Sequence, residues 1–150
     1  MQRREALAYL GGAAAALAGL SGGVAHADDK VQGHAHEEHF AKCAKACADC
    51  TNACSSCHHH CASLVTTGKQ DHVKTMNLCN DCAEFCGAAA KLSARHGPLA
   101  ALICEACAKA CDQCGAACEK FTDDKHMADC AKACKDCAVA CREMVKHLQA

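Results

Sequence analysis

Cysteines recur along this chain at alternating intervals of three and four, in four separate runs. Cys43, Cys47, Cys50, Cys54, Cys57 and Cys61 form the first, and Cys79, Cys82 and Cys86 the second. Cys104, Cys107, Cys111, Cys114 and Cys118 form the third, and Cys130, Cys134, Cys137 and Cys141 the fourth. Positions i, i+3, i+4 and i+7 lie on one face of an α-helix. Each run therefore predicts a helix with a stripe of thiols where a bundle helix ordinarily carries leucine. A core built of thiols points to soft-metal chemistry.

The turn residues divide the chain accordingly. The spacing predicts helix 1 over 36–65, ended by Thr66-Thr67-Gly68 with Gly68 as a left-handed cap. Helix 2 is expected over 71–95, with Asp71 as its N-cap. Gly97 then closes helix 2 and Pro98 opens the next, a pairing that suits a helix end followed by a helix start. Helix 3 is expected over 99–121, Thr122-Asp123-Asp124 as turn and cap, and helix 4 over 125–148. Short connections make sequential helices antiparallel neighbours. The fold class read from the sequence is all-α, an antiparallel up-down four-helix bundle with a cysteine-lined core. Ala-Lys-Ala-Cys occurs at 44–47, 108–111 and 131–134, so helices 1, 3 and 4 vary one pattern.

Residues 1–27 read as a cleaved export signal. Arg3 and Arg4 precede an Ala/Gly/Leu stretch, and Ala25-His26-Ala27 is a small-x-small cleavage site. The arginine pair resembles a twin-arginine signal and is read as one, although Gln2 and Ala6 replace favoured residues; a plain secretory signal is the alternative. The stretch is too short and too rich in Gly and Ala for a good membrane span. Residues 28–35 are expected as a flexible polar segment and 36–150 as the bundle, exported to the periplasm. Acids and bases nearly balance, leaving no basic excess for nucleic acid and no basic amphipathic face for a membrane.

Leu, Ile, Val and Phe supply only fifteen residues after position 27. So few would ordinarily mean disorder. A free thiol, however, packs as a small hydrophobe and is among the most buried residue types. Bound metal is therefore expected to supply part of the folding free energy.

Side chains at i, i+3 and i, i+4 have Cβ atoms about 5–6 Å apart, close to the sulfur separation in a two-coordinate thiolate site of about 4–5 Å. Soft thiolates select Cu(I), zinc or iron–sulfur clusters. Cu(I) fits best because it accepts low coordination and a continuous stripe offers pairs. If every sulfur bridges two ions, capacity approaches ~18 Cu(I) per chain. The candidate ligands are all eighteen cysteines.

In the up-down arrangement one end gathers His58, His59, His60, His72, Met76, Phe121, His126 and Met127. Copper is expected to enter there, with Met76, Met127, His58, His60 and His126 as candidate mouth ligands, or else these are ordinary helix-end residues. The other end gathers Phe40, Leu92, Leu99, Leu102, Ile103, Met144 and Leu148, which reads as an apolar plug. His34, His36 and His39 form a smaller cluster, read either as a capture site or as a solvated tail.

Across residues 36–148 the four stripes, short turns and Met/His end resemble the bacterial copper storage proteins, a family of cysteine-rich four-helix bundles. The resemblance implies that each stripe cysteine is a Cu(I) ligand. It also implies storage for supply or detoxification without enzymatic activity, and export of some members by twin-arginine signals. A homo-oligomer follows by analogy with exported relatives, and a copper-accepting protein or chelator would be the partner.

Other readings fit less well. A structural zinc- or disulfide-stabilised bundle is the main alternative, but adjacent thiols on one helical face have poor bridging geometry. Eighteen thiols also exceed what about four zinc ions need. Cys54-Ser55-Ser56-Cys57-His58 matches the haem-attachment pattern, yet any such stripe generates CxxC pairs. Iron–sulfur ferredoxins place their cysteines in loops. Catalysis needs a distinctive, accessible thiol, and these are equivalent.

Overall fold

Residues 27–121 and 123–149 are described in the computed structural model. Four helices follow in order: α1 (Ala27–Thr66), α2 (Val73–Ala94), α3 (Ala100–Cys118) and α4 (Lys125–Gln149). Single 3₁₀ turns at Gln70–His72 and Glu119–Phe121 join them, and no strand occurs among the described residues. The expected bundle is present. Helix α1 packs on α2 and α4, and α3 packs on the same two. The diagonal pairs, α1 with α3 and α2 with α4, make no close backbone approach among the described residues. The space between them is filled by side chains alone. No described helix is long and apolar enough to cross a membrane.

Alanine explains how the helices come close enough for short side chains to fill that space. Ala89, Ala100, Ala108 and Ala138 are buried among the cysteines of the core. Alanine is also the best helix former, so the same residues favour the local structure and the packing. The polar faces carry i,i+4 pairs, Lys45–Asp49 at 2.6 Å and Lys125–Asp129 and Lys132–Asp136 at 2.5 Å, all exposed. Such pairs keep a face solvated and add little stability.

Helix boundaries differ from the sequence reading at three places. Helix α1 begins at Ala27, well before the expected position 36. The segment 28–35, expected to be loose, continues the helical backbone, since no proline interrupts it. The expected signal peptide otherwise lies outside the described residues. Asp71 does not cap α2; it sits in the 3₁₀ turn, and the cap position falls to His72, which makes no capping bond. The His72 ring is buried edge-on against Phe121, ring centroids 4.0 Å apart, and this contact draws the turn inward.

The third difference is at the end of α2. Gly68 takes the expected left-handed conformation (φ 94°) after α1, with its N–H donating to Val65 O and that of Lys69 to Leu64 O. After α2, however, His96 and not Gly97 is left-handed, at φ 52°. The same pair of bonds forms, His96 N to Ser93 O at 3.0 Å and Gly97 N to Leu92 O at 2.8 Å. The left-handed penalty for a non-glycine residue is about 1–2 kcal/mol. Stacking of the His96 ring on Phe40 at 4.2 Å offsets it. Gly97 is required for closeness, because a Cβ there would stand 3.1 Å from Leu92 Cδ2 and 3.2 Å from Leu92 O.

Asp124 fulfils its expected capping role. Its Oδ1 accepts the N–H of His126 at 2.9 Å and of Met127 at 3.4 Å. Burial pushes its carboxyl up, but His60 and these two N–H groups together hold it below the ordinary value. The Asp124→Ala protein should lose about 1–2 kcal/mol of stability in chemical denaturation, with Asp124→Asn recovering much of it. Equal loss in both would mean that the ion pair, not the cap, matters.

Candidate metal centre

Every one of the eighteen cysteines is a free thiol, and none is more than 2 % exposed. Their sulfurs form one unbroken network along the bundle axis. Cys43 Sγ lies 3.9 Å from Cys47, which is 3.5 Å from Cys141 and 3.6 Å from Cys137. Cys137 leads through Cys107 (3.8 Å) to Cys86 and Cys111, which are 3.5 Å apart. From Cys111 the contacts pass to Cys82 (3.7 Å) and Cys50 (3.9 Å), then from Cys50 to Cys54 (3.8 Å). Cys54 meets Cys134, Cys130 and Cys114 at 3.6–3.9 Å, and Cys114 meets Cys79 at 3.6 Å. Cys118 joins Cys79 (3.9 Å) to Cys57 (4.0 Å). The network ends on Met127, whose Sδ is 3.4 Å from Cys57 Sγ and 3.9 Å from Cys61 Sγ.

Sulfur spans the diagonal of the bundle that backbone does not. Cys43–Cys104, Cys50–Cys111 and Cys57–Cys118 bridge α1 to α3 at 3.6–4.0 Å. These separations match the edge of a trigonal thiolate site, about 4 Å for bonds of about 2.3 Å. A linear site needs about 4.6 Å, which small rotamer shifts supply.

Several groups of four thiols have their sulfurs mutually within 4.8 Å, among them Cys47, Cys107, Cys137 and Cys141; Cys50, Cys82, Cys86 and Cys111; Cys50, Cys54, Cys82 and Cys134; Cys54, Cys114, Cys130 and Cys134; and Cys57, Cys79, Cys118 and Cys130. Cys50, Cys54, Cys82, Cys130 and Cys134 each belong to at least two of them. A set of separate four-coordinate sites cannot share ligands so freely, whereas bridging ions of low coordination can.

The comparisons agree with this geometry. A family model described as copper storage protein matches residues 25–146. The chain belongs to the copper storage protein family. Among solved structures it is similar to the cytosolic copper storage protein of Streptomyces lividans carrying five coppers (TM-score 0.70, 31 % identity, 75 % of this chain and 97 % of that one). A second structure of the Streptomyces lividans protein, loaded with 10 copper equivalents, gives TM-score 0.67 and 32 % identity over 73 % and 85 % of the two chains. The Cu(I)-bound copper storage protein 3 of Bacillus subtilis gives TM-score 0.66 and 36 % identity over 71 % and 98 %. No curated protein sequence matches the chain.

As in any copper storage protein that holds metal on cysteine, the thiol protons must leave before the ion binds. Burial, followed by the charge of Cys57, pushes the Cys61 thiol up to about 12. Contacts with neighbouring sulfurs, with burial adding to them, hold Cys47, Cys54, Cys79, Cys104 and Cys134 above the ordinary value. Cys86, Cys111, Cys118 and Cys137 are raised by the same network. Other thiols of the network move down, Cys114 to about 6, chiefly through Cys118, and Cys141 to about 2, chiefly through Cys104.

The two ends of the lattice differ. At the Met/His end Met127 is fully buried and closes the sulfur network rather than lying open. Met76 is half-buried against the core. His60 Nε2 is 2.7 Å from Asp124 Oδ2, its ring stacks on His126 at 4.6 Å, and Ser56 Oγ is 3.1 Å from His126 Nε2. His58 Nδ1–H donates to Met76 O at 3.0 Å, which ties it to α2. His72, 5 % exposed, has no partner for its Nδ1 among the described residues and lines a cleft of about 590 Å³ with Lys69, Phe121 and Asp124. Of the mouth candidates, His60, His126 and Met127 thus belong to one cluster, and His58 is engaged elsewhere.

At the other end the expected apolar plug is smaller than read. Phe40 and Met144 are buried, but Leu99 (59 %) and Leu102 (65 %) are exposed. Leu99 is the cap residue before α3 and Leu102 lies on its first turn, both on the outer side, while Ala100 takes the inner position. Ser93 instead completes the seal. Fully buried, its hydroxyl lies 3.6 Å from Cys43 Sγ and 3.7 Å from Cys104 Sγ. A reading by cysteine alone misses it, yet Cys86, Ala89 and Ser93 continue the 3-4 spacing. The haem-type pair Cys54 and Cys57 is fully buried, so thioether attachment has no access there.

Proposed function

We propose that this protein takes up and stores many Cu(I) ions on the thiolates of its bundle core, with all eighteen cysteines as ligands. The observation that carries the reading is the shared, unbroken sulfur network, which suits bridging ions of low coordination. Family membership supports it. The solved relatives are described as loaded with copper. Copper here is cargo. The thiols face one another in a closed core, and storage without catalysis is the corresponding reading.

Copper is admitted at the end holding Met127, Met76, His60 and His126, where the sulfur network runs out onto Met127; His58 has a lesser part. The arginine pair at 3–4 and the Ala25-His26-Ala27 site support export of residues 28–150 to the periplasm, by a twin-arginine or a secretory route. The Streptomyces lividans relative is described as cytosolic, so compartment varies among these proteins. A homo-oligomer, and a protein or chelator that accepts the copper, complete the proposal.

Anaerobic titration of the reduced chain with Cu(I) against a chromophoric chelator tests the storage reading. Saturation well above ten ions per chain is expected, with Cys50→Ala or Cys111→Ala each losing about one and Ser93→Cys gaining about one. Saturation near four would point to separate zinc-type sites instead.

A further inference from the structure

We propose a second metal site, made of imidazoles and outside the thiol core, at the end of the bundle opposite the Met/His mouth. His36 and His39 lie three residues apart on one face of α1, and His147 reaches them from the last turn of α4. His36 Nδ1 and His147 Nε2 are 2.5 Å apart, and the His39 and His147 rings stack at 4.2 Å. The contact between His36 and His147 means that one nitrogen donates a proton and the other accepts it. For both nitrogens to bind one ion, the shared proton must first leave that contact, by moving to the far nitrogen of its own ring or to solvent.

The surroundings hold these rings in place. Phe40 packs edge-on against His36 at 5.1 Å and is itself buried. One turn further along, Lys42 and Glu143 form a 2.6 Å ion pair that fixes the register of α1 against α4. Three imidazoles from two helices, with one coordination position left open, are the ligand set of open tri-histidine metal sites; His36 and His147 already face each other by nitrogen, and His39, stacked on His147, must turn its ring to join them. Nitrogens around a tetrahedral ion stand about 3.3 Å apart, so His36 and His147 need to separate by less than about 1 Å.

Imidazole alone, without thiolate, favours a borderline divalent ion such as Zn²⁺ over Cu(I). The site thus takes a different ion from the core. It joins the start of the bundle to its C-terminal helix, and binding there clasps the two together.

The test is calorimetric titration of the Cu(I)-saturated full chain with Zn²⁺, its thiols being already occupied. One Zn²⁺ per chain is expected. Binding should weaken at least tenfold in His36→Ala and in His147→Ala, and should be unchanged in His59→Ala, whose ring is exposed at the other end. Zn²⁺ should also raise the thermal midpoint of the parent and not of His147→Ala. No uptake by the parent, or equal uptake in His147→Ala, overturns the proposal.

The Cu(I) capacity of each variant is measured first, so a failure of storage is told apart from a failure of this site. If the core does not load, Co²⁺ replaces Zn²⁺ on the reduced chain. An imidazole site then shows d–d bands without the sulfur-to-cobalt charge transfer of thiolate binding. A first equivalent with that charge transfer overturns the proposal.

Discussion

Loading with Cu(I) is expected to raise the thermal midpoint of the reduced protein by tens of degrees. The metal-free core contains alanines, thiols, two methionines and Phe40, with Leu64, Ile103 and Leu148 only packed against its edge. Such a core buries little large apolar surface, and the unloaded bundle should be marginal. An ion held a thousandfold above its dissociation constant adds about 4 kcal/mol to the folded state. Each kcal/mol shifts the midpoint of a chain this size by about 2–8 °C. The unfolded chain also carries thiols, which reduces the gain per ion, but it lacks their preorganised groups of four. Scanning calorimetry at increasing Cu(I) should show a stepwise rise up to saturation. A midpoint that stays put while copper binds would place the ions on the surface, not in the core.

The second large effect concerns alkali. Thiols held above their ordinary value keep protons in the fold that the unfolded chain releases. Their stabilising contribution is complete below the unfolded value, about 8.5. It is lost as pH rises through the folded values, about 12 for Cys61. Thiols held below the ordinary value, such as Cys114 and Cys141, have the opposite sign: their contribution is lost as pH falls and is complete once the unfolded thiols ionise. Above about pH 9 it is constant and leaves the slope unchanged. Each retained proton costs about 1.4 kcal/mol per pH unit in that range. Four such thiols would remove about 5 kcal/mol per unit, comparable with the whole stability of a small domain. Circular dichroism of the anaerobic, metal-free protein should therefore show unfolding between about pH 9.5 and 11. The loaded protein, whose thiols have already given up their protons, should pass through that range folded. Alkaline resistance of the metal-free form would mean that the buried thiols ionise in place.

Much of this was legible because one residue type carries both the helical period and the chemistry. The four stripes specify four helices and their inward faces, and Gly68 and Asp124 mark turns by local chemistry alone. What escaped depended on contacts between elements. His96 is left-handed because Phe40, 56 positions away, stacks upon it. His72 displaces Asp71 from the cap because Phe121 covers its ring. His36 meets His147 across a separation of 111 residues, which only the register of α1 on α4 determines. Leu99 and Leu102 were read as core by type, whereas their place on the helix turns them outward.

The buried lines of the bundle are not filled by cysteine throughout: Ala89, Ser93 and Ala100 occupy the same fully enclosed rows. All of these residues are small, so one can replace another without repacking the neighbours. A serine codon becomes a cysteine codon by one base change. How much metal a lineage holds in such a fold can therefore be adjusted one substitution at a time, while the helices, turns and ends stay as they are.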